Sequence, residues 1–214
     1  MGGSGKDIAH ALISTKDGNF AFCGENASKN PENKGDAWLV KFDGNGDTLF
    51  DRTFLSPEFT VINDLVEDSV QGQMYLVGSS YNINKTISDI YTISFNRDGD
   101  FSWEYYHGGV NLGKGNRDDY GNSIVFNEAG NLIIIGSSAS LGNGGAGLYF
   151  GEIFKASGYY KAGPTFGNIK DEFGYSAVSY RNRNIAFGSS QSYGDGFSEF
   201  YLVEIKNDSM AQEY

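Results

Sequence analysis

Two sets of acidic residues recur in register along this chain. Asp7, Asp119 and Glu172 form one set, and Asp36, Asp89 and Glu199 the other. Each acid stands just before a segment rich in aliphatic and aromatic residues. Carboxylates so placed can cap a loop, accepting its N–H groups or the hydroxyls of Ser79-Ser80, Ser137-Ser138 and Ser189-Ser190. They can instead form a ring of anions that holds a sugar or a cation. Recurrence in register favours the capping role. Tyr81, Tyr120, Phe173 and Tyr193 fall in or beside the longer connections, and aromatic rings near carboxylates and amides can stack on sugar rings. The candidate ligand-binding set is therefore Tyr81, Tyr120, Phe173, Tyr193, Asp36, Asp89, Asp119 and Glu199.

Other chemistry is weaker. Asp43, Asn45 and Asp47 place oxygens at alternate positions, as calcium loops do, and Asn96, Asp98 and Asp100 repeat the spacing. No bidentate glutamate follows at the expected offset, so a hairpin turn is the preferred reading, with calcium the alternative and no other cofactor expected. Gly3-Ser4-Gly5-Lys6 lacks the glycine spacing and the following Ser/Thr of a phosphate loop. His10 and His107 are the only histidines, lie far apart, and are read as solvent or edge positions. With no catalytic constellation in sight, the chain is expected not to be an enzyme.

The bulk properties narrow the partners. The formal charge of −11 over 214 residues argues against nucleic acid and anionic membrane surfaces. No segment is long and apolar enough to span a bilayer as a helix. The single cysteine, Cys23, sits where the other repeats carry Val77, Ile135 and Phe187, which reads as a buried apolar site. Met1 leads straight into Gly2-Gly3-Ser4-Gly5, which is not a signal peptide, so a mature domain given alone is expected.

The elements that position these residues come in four copies. A glycine-ended hydrophobic run recurs at Phe20–Gly24, Tyr75–Ser80, Ile133–Ser138 and Ile185–Ser190, with its glycines 54, 58 and 52 residues apart. A strand repeat of about 53 residues points to a β-propeller. Each repeat parses into strands A to D. Strand A is Ile8–Ile13, Ile62–Glu67, Tyr120–Val125 and Phe173–Val178, and strand B is the glycine-ended run. Strand C is Ala37–Asp43, Ile90–Asn96, Leu148–Phe154 and Phe200–Lys206. Strand D is Thr48–Phe54, Phe101–His107, Tyr159–Thr165 and roughly Ser209–Tyr214. In strand C, Trp38, Val40 and Phe42 alternate on one face, and Lys41, Ser94, Glu152 and Glu204 turn the other face polar, as in a half-buried strand near a rim. Asp-Gly and Asn-Gly pairs supply the positive φ of the A–B and C–D hairpins.

The expected architecture is all-β: a four-bladed propeller in one domain over 1–214. Its blades fall at about 1–56, 57–110, 111–166 and 167–214, each of four antiparallel strands. The repeats are whole, so closure would rest on packing between the last blade and the first, or on a second copy.

Asp89–Gly109 and Asp36–Phe54 share an acid, an aromatic strand, an Asp/Asn-x-x-Gly turn and a second aromatic strand, followed in the longer segment by Gly-Gly. The pattern resembles the repeats of Bacteroidetes-type secreted and lipoprotein β-propellers. That resemblance implies an extracytoplasmic location and a binding or scaffolding role. The expected function is glycan or protein recognition through the B–C and D–A loops, without nucleic-acid binding or membrane insertion. The alternative is self-assembly, as a homodimer forming an eight-bladed ring or as part of a longer array.

Overall fold

A computed structural model describes residues 2–29, 35–56, 59–81, 87–108, 117–142, 144–155, 157, 159–195, 197–206 and 211–213. Every element of secondary structure among them is a β-strand. The chain divides into two compact units, Met1–His107 and Gly108–Tyr214. The first unit holds β1 (Asp7–Ser14), β2 (Phe20–Asn26), β3 (Asp36–Phe42) and β4 (Thr48–Phe54), then β5 (Phe59–Glu67), β6 (Met74–Tyr81), β7 (Ser88–Phe95) and β8 (Phe101–His107). The second holds β9 (Asp119–Phe126), β10 (Leu132–Ser138), β11 (Gly147–Phe154) and β12 (Tyr159–Phe166), then β13 (Glu172–Tyr180), β14 (Arg183–Ser190), β15 (Glu199–Lys206) and β16 (Ala211–Glu213). They form four antiparallel four-stranded sheets, each a simple meander in chain order. Ser209, Met210 and Tyr214, included in the last expected strand, lie outside the described residues.

The repeated glycine has one physical cause in all four sheets. Strand A carries a β-bulge opposite it, so one residue (His10, Asn63, Asn122 or Tyr175) is extra in the register. The bulge drives a strand A carbonyl against the glycine. A Cβ on Gly24, Gly78, Gly136 or Gly188 would lie 1.9, 1.8, 1.8 or 1.7 Å from the carbonyl oxygen of Ile8, Val61, Tyr120 or Phe173. Only glycine admits that approach. The short turns also follow the sequence, with Gly18, Gly46, Gly72, Gly99 and Gly130 all at positive φ. The fourth A–B turn uses Arg181 and Asn182 at φ 51° and 57°, a two-residue turn without glycine.

Within each unit the second sheet lays its strands on the face of the first. Ala21, Cys23, Ala37 and Leu39 pack with Ile62, Leu65, Leu76, Tyr91 and Ile93 in the first unit. Ile133, Ile135, Leu148 and Phe150 pack with Ala186, Tyr201, Val203 and Ile205 in the second. Each fully buried Leu, Ile or Phe contributes roughly 1.5–3 kcal/mol by leaving water. Cys23 is fully buried, and burial pushes its thiol up, as expected of an inert apolar filler. Strand C departs from expectation. It is not a half-buried rim strand, because β3, β7 and β11 are buried on both faces. Strands B and D flank it, so its polar residues Lys41, Ser94, Glu152 and Glu204 are enclosed too.

Candidate functional site

The acids before strand A cap loops. Asp7 accepts the N–H groups of Gly3, Ala27 and Ser28 at 2.8–3.0 Å and the Ser28 hydroxyl at 2.6 Å. Glu172 is fully buried and accepts from Ser190 Oγ at 2.9 Å, Ser192 N at 3.2 Å and Asn168 N at 3.0 Å. Asp119, equally buried, accepts from Ser140 N at 3.2 Å. Before strand C the pattern splits. Asp36 is buried and accepts from Ser56 N at 3.1 Å, whereas Asp89 and Glu199 are exposed.

The aromatic candidates are also dispersed. Tyr81 packs on Phe59 with centroids 5.3 Å apart. Tyr193 stacks on Tyr201 at 5.7 Å, in a loop whose Gly194 lies against the Glu199 side chain. Tyr120 and Phe173 are half-buried residues whose carbonyls flank the strand A bulges. Of the eight candidates, Tyr193 and Glu199 are neighbours. The Asp43-Asn45-Asp47 loop is a hairpin turn closed on itself. Asp43 Oδ1 accepts the N–H groups of Asn45 and Asp47, each at 2.9 Å. Those bonds hold its carboxyl below the usual carboxylate range. His107 is not at a solvent position as expected. It is buried beside Thr92 Oγ1 at 2.7 Å, and burial pushes its pKa down to about 4.

A different group in the first unit makes an aromatic groove. Phe54, Leu55 and Ser56, at the end of β4 and the start of the following connection, line one side. Tyr91 of β7 and Phe101, Glu104 and Tyr106 of β8 line the other, around a volume of about 310 Å³. Phe101 and Tyr106 are each half exposed, at 50 % and 48 %. Their lower edges are fixed: Phe54 lies 5.7 Å from Phe101 and edge-on to Phe95 at 4.5 Å, and Tyr91 lies 5.0 Å from Tyr106. The buried Tyr91 hydroxyl donates to Glu104, and burial with that bond pushes the phenol up, so it stays a donor. Glu104 is thus held through one oxygen at the wall of the groove. The groove could have been suspected from the aromatic density of Phe101-Ser102-Trp103-Glu104-Tyr105-Tyr106. It needs Phe54 and Leu55, however, nearly a whole repeat away.

No family model matches the chain, and no curated protein is similar to it in sequence. Solved structures are similar in fold. A protein of unknown function from Bacteroides caccae matches over 99 % of this chain at a TM-score of 0.54 and 11 % identity. A puromycin-hydrolysing peptidase of Mycobacterium tuberculosis matches over 98 % at 0.52 and 11 %, and Bacillus subtilis levansucrase over 98 % at 0.51 and 13 %. The fold is a four-bladed β-propeller. The match spans 62 % of the Bacteroides protein, 29 % of the peptidase and 68 % of the levansucrase. The expectation that the chain is not an enzyme is corrected by these structures: levansucrase, an enzyme, is similar to the chain in fold. The physical reason is that blades bring together side chains far apart in sequence, so a missing linear motif excludes no chemistry. Among the described residues no helix is long and apolar enough to cross a membrane.

Proposed function

We propose that the chain recognises glycans, through the groove of Phe54, Leu55, Ser56, Tyr91, Phe101, Glu104 and Tyr106. The supporting observation is two half-exposed rings beside a carboxylate oriented by a buried phenol. Rings offer flat faces to sugar C–H groups, and the carboxylate accepts sugar hydroxyls. The aromatic bodies are anchored by rings beneath them, so little side-chain freedom is lost on binding. The loop-face pair Tyr193 and Glu199 extends the reading to the second unit. An extracytoplasmic setting suits it. The test is a glycan array and calorimetric titration of the full chain, with Tyr106→Ala and Glu104→Gln beside it. Both variants should lose about tenfold or more in affinity; affinity unchanged in both would refute the groove.

A second reading is self-association. In the second unit Tyr175, Val178, Phe187 and Phe200 are exposed on the face of β13–β15 turned away from the unit's core. In the first unit Ala9, His10, Ala11, Leu12, Phe22 and Phe42 line a groove of about 290 Å³ on the corresponding outer face of β1–β3. Apolar sheet faces of this kind suit a second copy of the chain. Light scattering giving a monomer at all concentrations would refute it.

A further inference from the structure

The enclosed polar position on strand C is repeated in all four sheets, and three of the four settle it internally. Lys41 Nζ pairs with Asp17 of the A–B turn at 2.7 Å. Ser94 Oγ accepts from Gln73 Nε2 at 2.7 Å. Glu204 is held by Arg183 through two bonds of 2.6 Å. The fourth is Glu152, 4 % exposed, whose Oε1 accepts Asn127 Nδ2 at 3.0 Å and Asn131 Nδ2 at 2.9 Å. Both donors are neutral amides, and Oε2 has no hydrogen-bond partner among the described residues. Lys161 stands opposite Glu152 across the β11–β12 pairing. Water could complete the hydrogen bonds of Oε2 but could not offset the buried charge.

Glu152 opens into a pocket of about 220 Å³ within the second unit. Asn127, Asn131, Asn182 and Asn184 supply amides to its wall, Phe154 a ring and Glu128 a second carboxylate. The Asn184 carbonyl oxygen is enclosed and has no hydrogen-bond partner. The pocket thus combines a buried carboxylate with no ion-pair partner among the described residues, an idle acceptor, several amides and one aromatic face.

We propose that this pocket binds a sugar bearing a free ammonium group, a hexosamine, with the ammonium against Glu152. The ammonium supplies what Lys41 and Arg183 supply in the first and fourth sheets: charge plus hydrogen-bond donors. The amides meet the hydroxyls around it, and Phe154 meets the ring face. A calcium-type ion fits less well, since it needs six or more oxygens, and no cluster of three ligating acidic, histidine or cysteine side chains exists among the described residues. A protein lysine fits less well because its four-carbon stem would cross a wall made largely of amides. The inference is independent of the groove in the first unit.

The experiment is an NMR titration of the full chain with D-glucosamine, at mildly acidic pH where its amine is charged. Shifts should centre on Asn127, Glu152 and Asn184. Glucose and N-acetylglucosamine, which carry no cation, should bind about tenfold more weakly or worse. Glu152→Gln, nearly isosteric, should abolish glucosamine binding without lowering the melting temperature, and Asn184→Ala should weaken it. Lys161→Gln should leave affinity unchanged or higher, because it removes an ammonium that stands opposite Glu152. Chitosan oligomers should bind at least as well as the monomer. Equal binding of N-acetylglucosamine, binding that survives Glu152→Gln, loss of binding in Lys161→Gln, calcium taken up at the same residues, or a lysine peptide preferred over glucosamine would each overturn the proposal.

Discussion

Glu152 and Glu204 hold the same register position in the two sheets of one unit, yet they meet opposite company. Glu204 is clasped by a guanidinium; Glu152 has two neutral amides. Both arrangements complete at least part of the local hydrogen bonding, and both leave the strands in register. The frame therefore constrains the presence of a polar group there and leaves its charge balance open. A repeat can keep its shape while one copy holds its carboxylate with amides and another with a guanidinium.

The strongest test of that comparison asks whether the frame is really common. Gly136→Ala and Gly78→Ala put a methyl into a backbone carbonyl less than 2 Å away, where no side chain can yield. Each should cost roughly 3 kcal/mol or more in denaturant unfolding. Parent-like stability in either variant would break the shared-frame account for its unit. Next comes His107, which occupies the position held by Phe54 and Phe166 in the first and third sheets. Its pKa is near 4 when folded and about 6.5 when unfolded. Between those values the unfolded chain binds more protons, so stability is full above the upper one and falls as pH drops toward the lower. The loss should approach about 3 kcal/mol, and His107→Phe should flatten it in melts taken across that range.

The direct contrast has a smaller effect. Arg183→Met strands a buried carboxylate and should cost about 2 kcal/mol, moderated because the Arg183 side chain is 47 % exposed. Glu152→Gln removes a buried carboxylate held by neutral amides, and should leave stability unchanged or raise it. Equal losses in the two variants would erase the distinction between the two sites.

Much of the frame was legible because its causes are local. Period-two alternation and Asp-Gly turns located the strands to within a few residues, and the glycine-ended run marked strand B in every sheet, although the bulge opposite it was not foreseen. The capping acids were half legible. Asp36 and Asp89 look equivalent in the chain, but one is buried against Ser56 and the other exposed, because burial depends on how the next loop folds back. The burial of His107 and of Lys41, Glu152 and Glu204 was missed, since polar residues on an alternating strand read as the wet face. The groove at Phe101 and Tyr106 was missed because half its wall comes from the preceding sheet.

The order of residues alone decided that this chain makes four meandering sheets, roughly where each strand lies and turns, and that a glycine recurs in strand B. Those features depend on hydrogen bonds and steric contacts between neighbours in the meander, which short patterns encode. Tertiary structure alone decided that Glu152 is held by two neutral amides and that Phe54 floors a groove with Phe101. Such meetings arise where one sheet covers another or a turn folds back, and burial there raises the cost of an unpaired charge far above its value in water.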